Sequence, residues 1–340
     1  MNRSNTLQIR KRVLTFILVA IIDLMILSLS IPASSQQIWF SPGDDLNVKG
    51  VVSHPDFMQL FTDPQSWPRG SAHVDVLQLR APWFLRMPDS VTQLVLSFIR
   101  QHHMSLAVPL GFVTSEACGI GVEGLGTGRT HAVYPREMKK RGIELDYVVM
   151  DEPLFYGHDY DGKNSCQFTI AQVAASVIDN MKMVRTYYPN VKFVLAEPEQ
   201  ALAGGVSELS RFLDLYEAGM HELPAAVRFD IHWAPPDARH RDWRIDMPLF
   251  IKMLQARGIG YSMIFNAGPI NGHPPDTDGD WIQSAKTNVL AWERTIPEKP
   301  LQVVIQTWSP HPVRITPETD ATTMTGYLKW YLGHAGRLIN

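Results

Sequence analysis

The chain has 340 residues, of which 45% are hydrophobic and 19% charged, and this composition excludes a disordered protein because it provides enough apolar residues for a sizeable core. A formal net charge of −3 argues against a nucleic-acid partner, which favours a basic surface. The length fits one large domain or two ordinary ones, since α/β barrels often reach this size as a single domain.

The N-terminal segment predicts export. Basic residues without any acid precede an apolar run over residues 13–31, and small residues then surround a cleavage site near Ser35, as in a secretory signal peptide. A signal anchor is the alternative, because the run nearly has the length of a membrane helix, although Asp23 makes permanent spanning costly. We expect a signal peptide or signal anchor over residues 1–35, a secreted or periplasmic domain over residues 36–340, and membrane contact only through an uncleaved N-terminal segment.

Short apolar runs alternate with amphipathic segments along the rest of the chain. The runs are rich in Val, Ile, Leu and Phe and are mostly continuous, which is typical of strands buried on both faces. We predict strands within residues 37–42, 74–84, 104–113, 145–153, 191–199, 226–235, 259–269 and 301–310.

The segments between these runs predict helices. Asp89 and Thr169 are each placed to cap a helix N-terminus, and Gly258 is placed to end a helix. We predict helices over residues 89–103, 169–188, 247–258, 280–297 and 318–332.

This array of strand–helix units predicts an α/β protein with a (β/α)8 fold, a TIM barrel, as a single domain after the N-terminal segment. A doubly wound sheet is the alternative. Residues 119–124, GIGVEG, match the glycine spacing of a dinucleotide-binding loop, but the sequence that follows does not open an apolar helix. We therefore favour the barrel and expect no cofactor.

Polar and aromatic residues concentrate where the predicted strands end, whereas the strand starts are mostly apolar. Active sites of such barrels assemble at this face, from strand ends and the loops that follow them. The candidates, in chain order, are Arg80, Trp83, Glu123, Asp151, Glu152, Tyr156, His158, Glu197, Asp230, His232, Asn266 and Trp308.

The sixth predicted strand places polar residues on one side. Arg228, Asp230 and His232 alternate with apolar residues, so they share a face of the strand. If this face is the lumen, Asp230 and His232 point towards the barrel mouth. The alternative is a buried polar network that only holds the barrel together.

The fourth predicted strand ends in the sequence MDEP. An acid followed by proline at this place resembles the (β/α)8-barrel glycoside hydrolases, whose general acid/base glutamate lies there in an Asn-Glu-Pro context. The resemblance implies that Glu152 is the acid/base and that Trp308 is a platform for sugar stacking. It also implies that Arg80 and His232 bind substrate.

The chain departs from that group at two positions. Asp151 stands where the group has asparagine, and the seventh strand offers Asn266 where the group has its nucleophilic glutamate. A second carboxylate must come from elsewhere in the chain. The candidates are Glu197, Asp230 and Glu123.

Asp151 and Glu152 are consecutive, so strand geometry would send their side chains in opposed directions, and we expect only one of them to face the mouth. We choose Glu152, because it precedes Pro153 and has the longer side chain. Asp151 is then expected to support the site by holding a loop amide or Arg80.

The two cysteines, Cys118 and Cys166, follow the third and fourth predicted strands. In an exported protein this even, low count predicts one disulfide, and the alternative is two unrelated buried thiols.

The sequence thus predicts a secreted or periplasmic glycoside hydrolase that acts on a polysaccharide or oligosaccharide by carboxylate acid/base catalysis. A glycan-binding barrel without catalysis is the alternative, favoured by Asn266. A metal-dependent hydrolase or isomerase, with Glu197, Asp230 and His232 as ligands, is least favoured because no histidine-rich metal motif accompanies them. A carbohydrate is the expected partner, and no metal ligand set is predicted.

Overall fold

The computed structural model describes residues 36–46, 53–126, 130–237, 240–269 and 273–338, with the backbone alone at residues 130–132. The predicted signal segment over residues 1–35 lies outside the described residues. The chain from Gln37 onward forms one compact unit.

Eight parallel strands form a closed barrel, and each lies within one of the predicted ranges. Neighbours in the barrel are also neighbours along the chain, and β8 closes the barrel against β1. Closure confirms the (β/α)8 prediction and excludes the doubly wound sheet, which has open edges. The strands are β1 (Gln37–Ser41), β2 (Val76–Gln78), β3 (Ser105–Leu110), β4 (Tyr147–Asp151), β5 (Lys192–Glu197), β6 (Ala226–Phe229), β7 (Tyr261–Phe265) and β8 (Gln302–Gln306).

Both faces of the strands are buried, which explains their continuous apolar sequences. Trp39, Val149 and Ile264 belong to the core inside the lumen, whereas Phe40 and Val148 belong to the core between the barrel and its helices. Side chains of one strand therefore alternate between the two cores, and this alternation determines which residues can reach the lumen.

Helices connect the strands. Beyond the α-helices, Phe155–Asp159 forms a π-helical turn and Glu199–Ala201 a 3₁₀ turn. The α-helices are α1 (Gln59–Thr62), α2 (Pro68–Ser71), α3 (Ala81–Arg86), α4 (Asp89–Gln101), α5 (Thr130–Lys140), α6 (Ile170–Arg185), α7 (Gly205–Met220), α8 (Trp243–Ala256), α9 (Asp278–Thr295) and α10 (Met324–His334).

Two of the predicted helix signals are confirmed. Thr169 caps α6 in a capping box, because its backbone N–H donates to Gln172 Oε1 (2.9 Å) and its Oγ1 accepts from Gln172 N. Gly258 follows α8 with a φ of +71°, a conformation that glycine adopts without a steric penalty. Asp89, in contrast, is the first residue of α4, and Pro88 is at the N-cap.

Two predicted helix starts are displaced. Helix α8 begins four residues early, at Trp243, because Asp242 caps it and Pro248 lies inside the helix rather than near its start. Helix α10 begins only at Met324, where Thr323 Oγ1 accepts from Gly326 N (3.0 Å). In both cases a side-chain cap, rather than the apolar pattern, determines the first residue.

The loops that follow β3 and β4 are joined covalently. The predicted disulfide between Cys118 and Cys166 is present, with the two residues separated by 48 positions. Asn164 adds two hydrogen bonds between the loops, since its carbonyl accepts from Gly119 N (2.7 Å) and its Nδ2 donates to Ile120 O (2.8 Å). None of the helices in the described ranges is long and apolar enough to cross a membrane.

Candidate active site

A cavity of about 620 Å³ opens at the carboxyl ends of the strands. This is the face at which barrel enzymes place their chemistry. Strand ends and the following loops line it, and eight of the predicted site residues are among them: Arg80, Glu123, Asp151, Glu152, Tyr156, Asp230, His232 and Trp308.

Four predicted site residues lie outside this cavity. Trp83 belongs to α3 and is fully buried, and its Nε1 donates to Asp45 Oδ1 (2.8 Å). The imidazole of His158 contacts the carbonyl oxygen of Phe168 through Nδ1. The other two residues, Glu197 and Asn266, are buried and hold neighbouring parts of the site.

Glu197 shapes the loop after β4 instead of facing the substrate. Its Oε1 accepts from Leu154 N (2.8 Å) and its Oε2 accepts from Phe155 N (3.1 Å). Ala196 belongs to the lumen core, so the adjacent Glu197 points to the outer side of β5. Burial raises the pKa of Glu197, and the two backbone hydrogen bonds oppose that rise.

Asn266 positions Asp230. Its Nδ2 donates to Asp230 Oδ1 (3.2 Å), while its Oδ1 accepts from Trp233 Nε1 (2.8 Å). Both polar ends of the buried amide are therefore used within the protein, and its contact with the site is through the Asp230 carboxylate.

Asp151 and Glu152 both line the cavity, contrary to the expectation that only one would do so. Asp151 follows the alternation of β4 and lies on the lumen side with Val149. Glu152 has a φ of +46°, in the left-handed region that non-glycine residues rarely adopt, and the chain changes direction there. The turn brings the second carboxyl group to the same cavity as the first.

The loop after β3 packs directly on this turn through Gly124. This residue has a φ of +70°, and a Cβ built on it would lie 2.7 Å from the Asp151 carbonyl oxygen and 3.0 Å from that of Glu152. Only glycine permits such a close approach. The contact places Glu123 at the cavity, where Tyr156 Oη donates to Glu123 Oε2 (3.0 Å).

The glycines of residues 119–124 thus serve turns. Gly119, Gly121 and Gly124 all have positive φ, between +70° and +78°. They form the loop that carries Glu123, and the next helix, α5, begins only at Thr130, whereas a dinucleotide-binding loop opens directly into a helix.

Three acids of the cavity have raised pKa values. Partial burial is the main cause for Asp151, and the charges of Glu123 and Asp230 add to it, raising its pKa to about 7. Burial also raises the pKa of Asp230 to about 7, against the hydrogen bond from Asn266. Burial and the surrounding carboxylates raise the pKa of Glu152 well above its usual range. At neutral pH, the group therefore retains protons.

Arg228 lies beneath these acids in the lumen and is buried. Its guanidinium donates to Gln78 Oε1 (2.6 Å) and Ser262 Oγ (3.2 Å) and lies 4.3 Å from the ring centroid of Trp39. Burial lowers the pKa of Arg228 to about 9, while the charges of Asp151 and Asp230 oppose this shift. The residue is a fixed positive charge under the carboxyl cluster.

Gln200 holds the polar loop after β6. Its Oε1 accepts from His232 N (2.6 Å) and its Nε2 donates to His232 O (3.2 Å). The His232 ring stacks on that of His240, with centroids 4.0 Å apart. Burial, followed by the His240 charge, lowers the pKa of His232, so this imidazole is neutral at neutral pH.

Arg80 and Trp308 lie on the cavity wall. The Arg80 guanidinium pairs with the buried Asp44 carboxylate, with Nε to Oδ2 at 2.6 Å, instead of with Asp151, which we expected to hold either Arg80 or a loop amide. Trp308 lines the cavity and is 64% exposed, so part of its apolar ring is available to a ligand.

Several residues that line the cavity are not among the predicted site residues. Gln78 and Gln306 stand at lumen positions of otherwise apolar strands, so polar residues in lumen register were the signal for them. His54 and Gln200 come from loops, and no periodic pattern marks them.

No protein-family model and no curated protein matches the sequence. Among solved structures, the chain is similar to a xylanase from Cellvibrio japonicus, with a TM-score of 0.47 and 9% identity over 80% of this chain and 86% of that one. It is also similar to a xylanase from Paenibacillus barcinonensis, with a TM-score of 0.49 and 9% identity over 84% and 90% of the two chains.

A D-psicose 3-epimerase is similar to a comparable degree, with a TM-score of 0.46 and 10% identity over 87% of this chain and 97% of that one. Scores at this level assign neither a family nor an activity to the chain. The barrel architecture stands on the strand pairing itself.

Proposed function

We propose that the protein is a glycoside hydrolase acting on a polysaccharide or oligosaccharide. The observation that carries this proposal is the gathering of four carboxyl side chains at one cavity on the carboxyl face of the barrel: Glu123, Asp151, Glu152 and Asp230. Glycosidic bond cleavage requires one carboxyl group that is protonated near neutral pH and a second that is ionised. A crowded, partly buried set of acids supplies both.

We assign Glu152 as the general acid. Burial and the charges of Asp230 and Asp151 raise its pKa, so it holds a proton that it can donate to the leaving oxygen. Its left-handed backbone presents the carboxyl group to the cavity from the end of β4. A strained residue that the surrounding structure holds in place is common at catalytic sites.

We assign Asp230, instead of Glu197, as the second catalytic carboxylate. Burial raises the pKa of Asp230 to about 7, whereas the hydrogen bond from Asn266 and the positive charge of Arg228 favour its ionised form. Asp230 follows β6 and Glu152 follows β4, so the two reach the cavity from different strands, an arrangement that allows two carboxyl groups to flank a glycosidic bond. Both oxygens of Glu197 accept hydrogen bonds from backbone amides on the outer side of β5.

Trp308 and Arg80 support a sugar as the ligand. An exposed indole face is suited to stacking on the apolar face of a pyranose, and a guanidinium donor is suited to its hydroxyl groups. The Asp44 pair holds Arg80 in position and leaves 28% of its side chain exposed.

We also propose that the protein works outside the cytoplasm. The Cys118–Cys166 disulfide supports this location, because disulfides persist in oxidising compartments. The basic and apolar N-terminal segment is a second argument, since it matches a secretory signal in pattern.

A glycan-binding barrel without catalysis is the second candidate. It is favoured by Asn266, an amide at the end of β7 where the barrel glycoside hydrolases have a nucleophilic carboxylate. The metal-dependent alternative loses support, because Glu197 directs both oxygens to Leu154 N and Phe155 N and so cannot join Asp230 and His232 around one ion.

Product analysis on a panel of polysaccharides tests the proposal. We expect the wild type to release reducing ends from at least one glycan and Asp230→Asn to lose most of this turnover. Glu116→Gln is the control, since Glu116 is exposed in the loop after β3. Glycan binding without product formation would favour the second candidate, and full activity of Asp230→Asn would exclude our choice of second carboxylate.

A further inference from the structure

A second group of polar side chains lies on the π-helical turn that follows Glu152, outside the cavity. His158 and Asp159 end this turn, and Glu208 lies in the first turn of α7. One nitrogen or oxygen atom from each of the three lies within 4.8 Å of those from the other two. Since Phe155 and Tyr156 of the same turn line the cavity, the cluster lies directly behind the cavity wall.

The His158 imidazole is oriented as a metal ligand would be. Its Nδ1 lies 2.5 Å from the carbonyl oxygen of Phe168, which can only accept, so Nδ1 carries the proton. In the neutral imidazole, Nε2 then has a free lone pair. A histidine that donates its other ring N–H to a backbone carbonyl is the usual arrangement at metal sites.

The two carboxylates are held in the same manner. Asp159 Oδ2 accepts from Ala203 N (3.0 Å), and Glu208 Oε2 accepts from Gly204 N (2.6 Å). Adjacent amides at the start of α7 therefore fix one oxygen of each acid. The second oxygen of each carboxylate remains for another partner.

Burial supplies an independent observation. Glu208 is only 6% exposed, and its Oε1 has no hydrogen-bond partner among the described residues. A carboxylate oxygen shielded from water without a partner is costly, so this atom needs a further partner, such as a bound ion, a water molecule or a proton.

We propose that His158, Asp159 and Glu208 bind a divalent transition-metal cation, with Zn²⁺ as the probe. Two carboxylates balance the charge of the ion, and the imidazole nitrogen favours a transition metal over Ca²⁺ or Mg²⁺, which prefer oxygen ligands alone. Three protein ligands leave a further position for water. The ion ties the turn after β4 to α7 and so rigidifies the cavity wall, and this role does not depend on the proposed function.

A proton shared between Asp159 and Glu208 is the competing arrangement. It would also satisfy the buried Oε1, because a protonated carboxyl group donates to its neighbour. The two arrangements respond differently to Zn²⁺. A cation site gains stability from the ion, whereas a shared proton is displaced only by a rise in pH.

The test uses the full chain without an affinity tag, stripped of metal and titrated with Zn²⁺. Calorimetry and metal analysis are expected to show about one tightly bound equivalent for wild type, with a higher Tm. Glu208→Gln and Asp159→Asn keep the side-chain shape and are expected to weaken binding at least roughly tenfold. Near-UV circular dichroism establishes that each metal-free variant is folded.

Two control variants separate this cluster from other Zn²⁺ sites. His334→Gln removes an exposed histidine paired with Glu293, and Asp230→Asn changes the acids of the cavity. Both are expected to bind Zn²⁺ as wild type does. The proposal is overturned if wild type takes up no equivalent of Zn²⁺, if Asp230→Asn removes the binding, or if stability responds to pH but not to the ion.

Discussion

Glu152 has an unusual backbone and an unusual electrostatic environment at once. Its φ of +46° turns the chain at the end of β4, and its carboxyl group joins those of Asp151 and Asp230 at the cavity. Backbone strain of this kind costs on the order of 1–2 kcal/mol and persists only where the surrounding contacts enforce it. The hydrogen bond from Glu152 N to Ala196 O (3.1 Å) is one such contact.

The two consecutive acids are expected to differ in their mutational effects. Glu152→Gln keeps the shape and removes the titrating proton, so turnover should fall by roughly 10²–10⁴-fold, as for a lost general acid. Asp151→Asn should be milder, because we assign Asp151 a supporting role. Initial rates on the glycan identified in the panel measure both. Loss of activity in Asp151→Asn alone would reverse the assignment, and retention in both variants would make the pair structural.

Residue positions in the site were predictable only where the strand alternation continues. Ala196 faces the lumen, so its neighbour Glu197 faces outward. The two-residue alternation of the strand is therefore enough to exclude Glu197 from the catalytic residues. The direction of Glu152 was not accessible in this way, because a positive φ breaks the alternation. No sequence pattern marks a left-handed glutamate.

At the level of elements, the loop after β3 and the turn after β4 behave as one part. The disulfide, the hydrogen bonds of Asn164 and the contact of Gly124 with the backbone of Asp151 all join them. The position of Glu123 in the cavity therefore depends on a close approach of two main chains.

Gly124→Ala is expected to disturb this contact. Gly142→Ala is the matched control, since Gly142 has a φ of +71° but nothing within 4 Å of an added Cβ. Both variants incur the left-handed penalty of about 1 kcal/mol. Only the alanine at 124 collides with a carbonyl oxygen, so we expect it to lose more stability in urea unfolding and to lower activity. Equal effects of the two variants would show that the close approach has no role.

The strands were predictable because the lumen and the outer core both require apolar residues over short runs. The strands Val113–Thr114 and Leu125–Gly126, which pair beside the barrel, were not predicted, since two residues are too few for a period. Asp242 was also missed as a cap, although it lies in front of an apolar helix. Asp242 lies well before the predicted start of this helix, so it was not considered as the cap.

In the molecule as a whole, the acids of the cavity make the free energy of unfolding depend on pH. Asp151 and Asp230 have pKa values of about 7 in the folded protein, against an ordinary value of 3.8. Between these values the folded state holds protons that the unfolded state has released. The stabilisation of the folded state by these bound protons is complete below pH 3.8, and it is lost as the pH rises through about 7.

Asp230→Asn is expected to reduce this dependence, because asparagine does not titrate. The pKa values of His54 and His232, lowered by burial, act in the opposite direction, so the difference between wild type and variant is the quantity to compare. We expect the variant to gain stability relative to wild type, on the order of 1–2 kcal/mol, as pH rises from about 4 to 7. Thermal unfolding across this range measures it, and a difference that is constant with pH would contradict the pKa shift.

The Cys118–Cys166 bond makes a closed covalent ring of the chain between the two cysteines. Any single cut in that interval, whether by a protease or by chemical hydrolysis, leaves two pieces that are still one molecule. The ring includes all of β4 and both Asp151 and Glu152. A nicked protein would migrate as one species until a reductant separates it into two. The carboxyl pair thus lies in a part of the chain whose continuity does not depend on any one peptide bond.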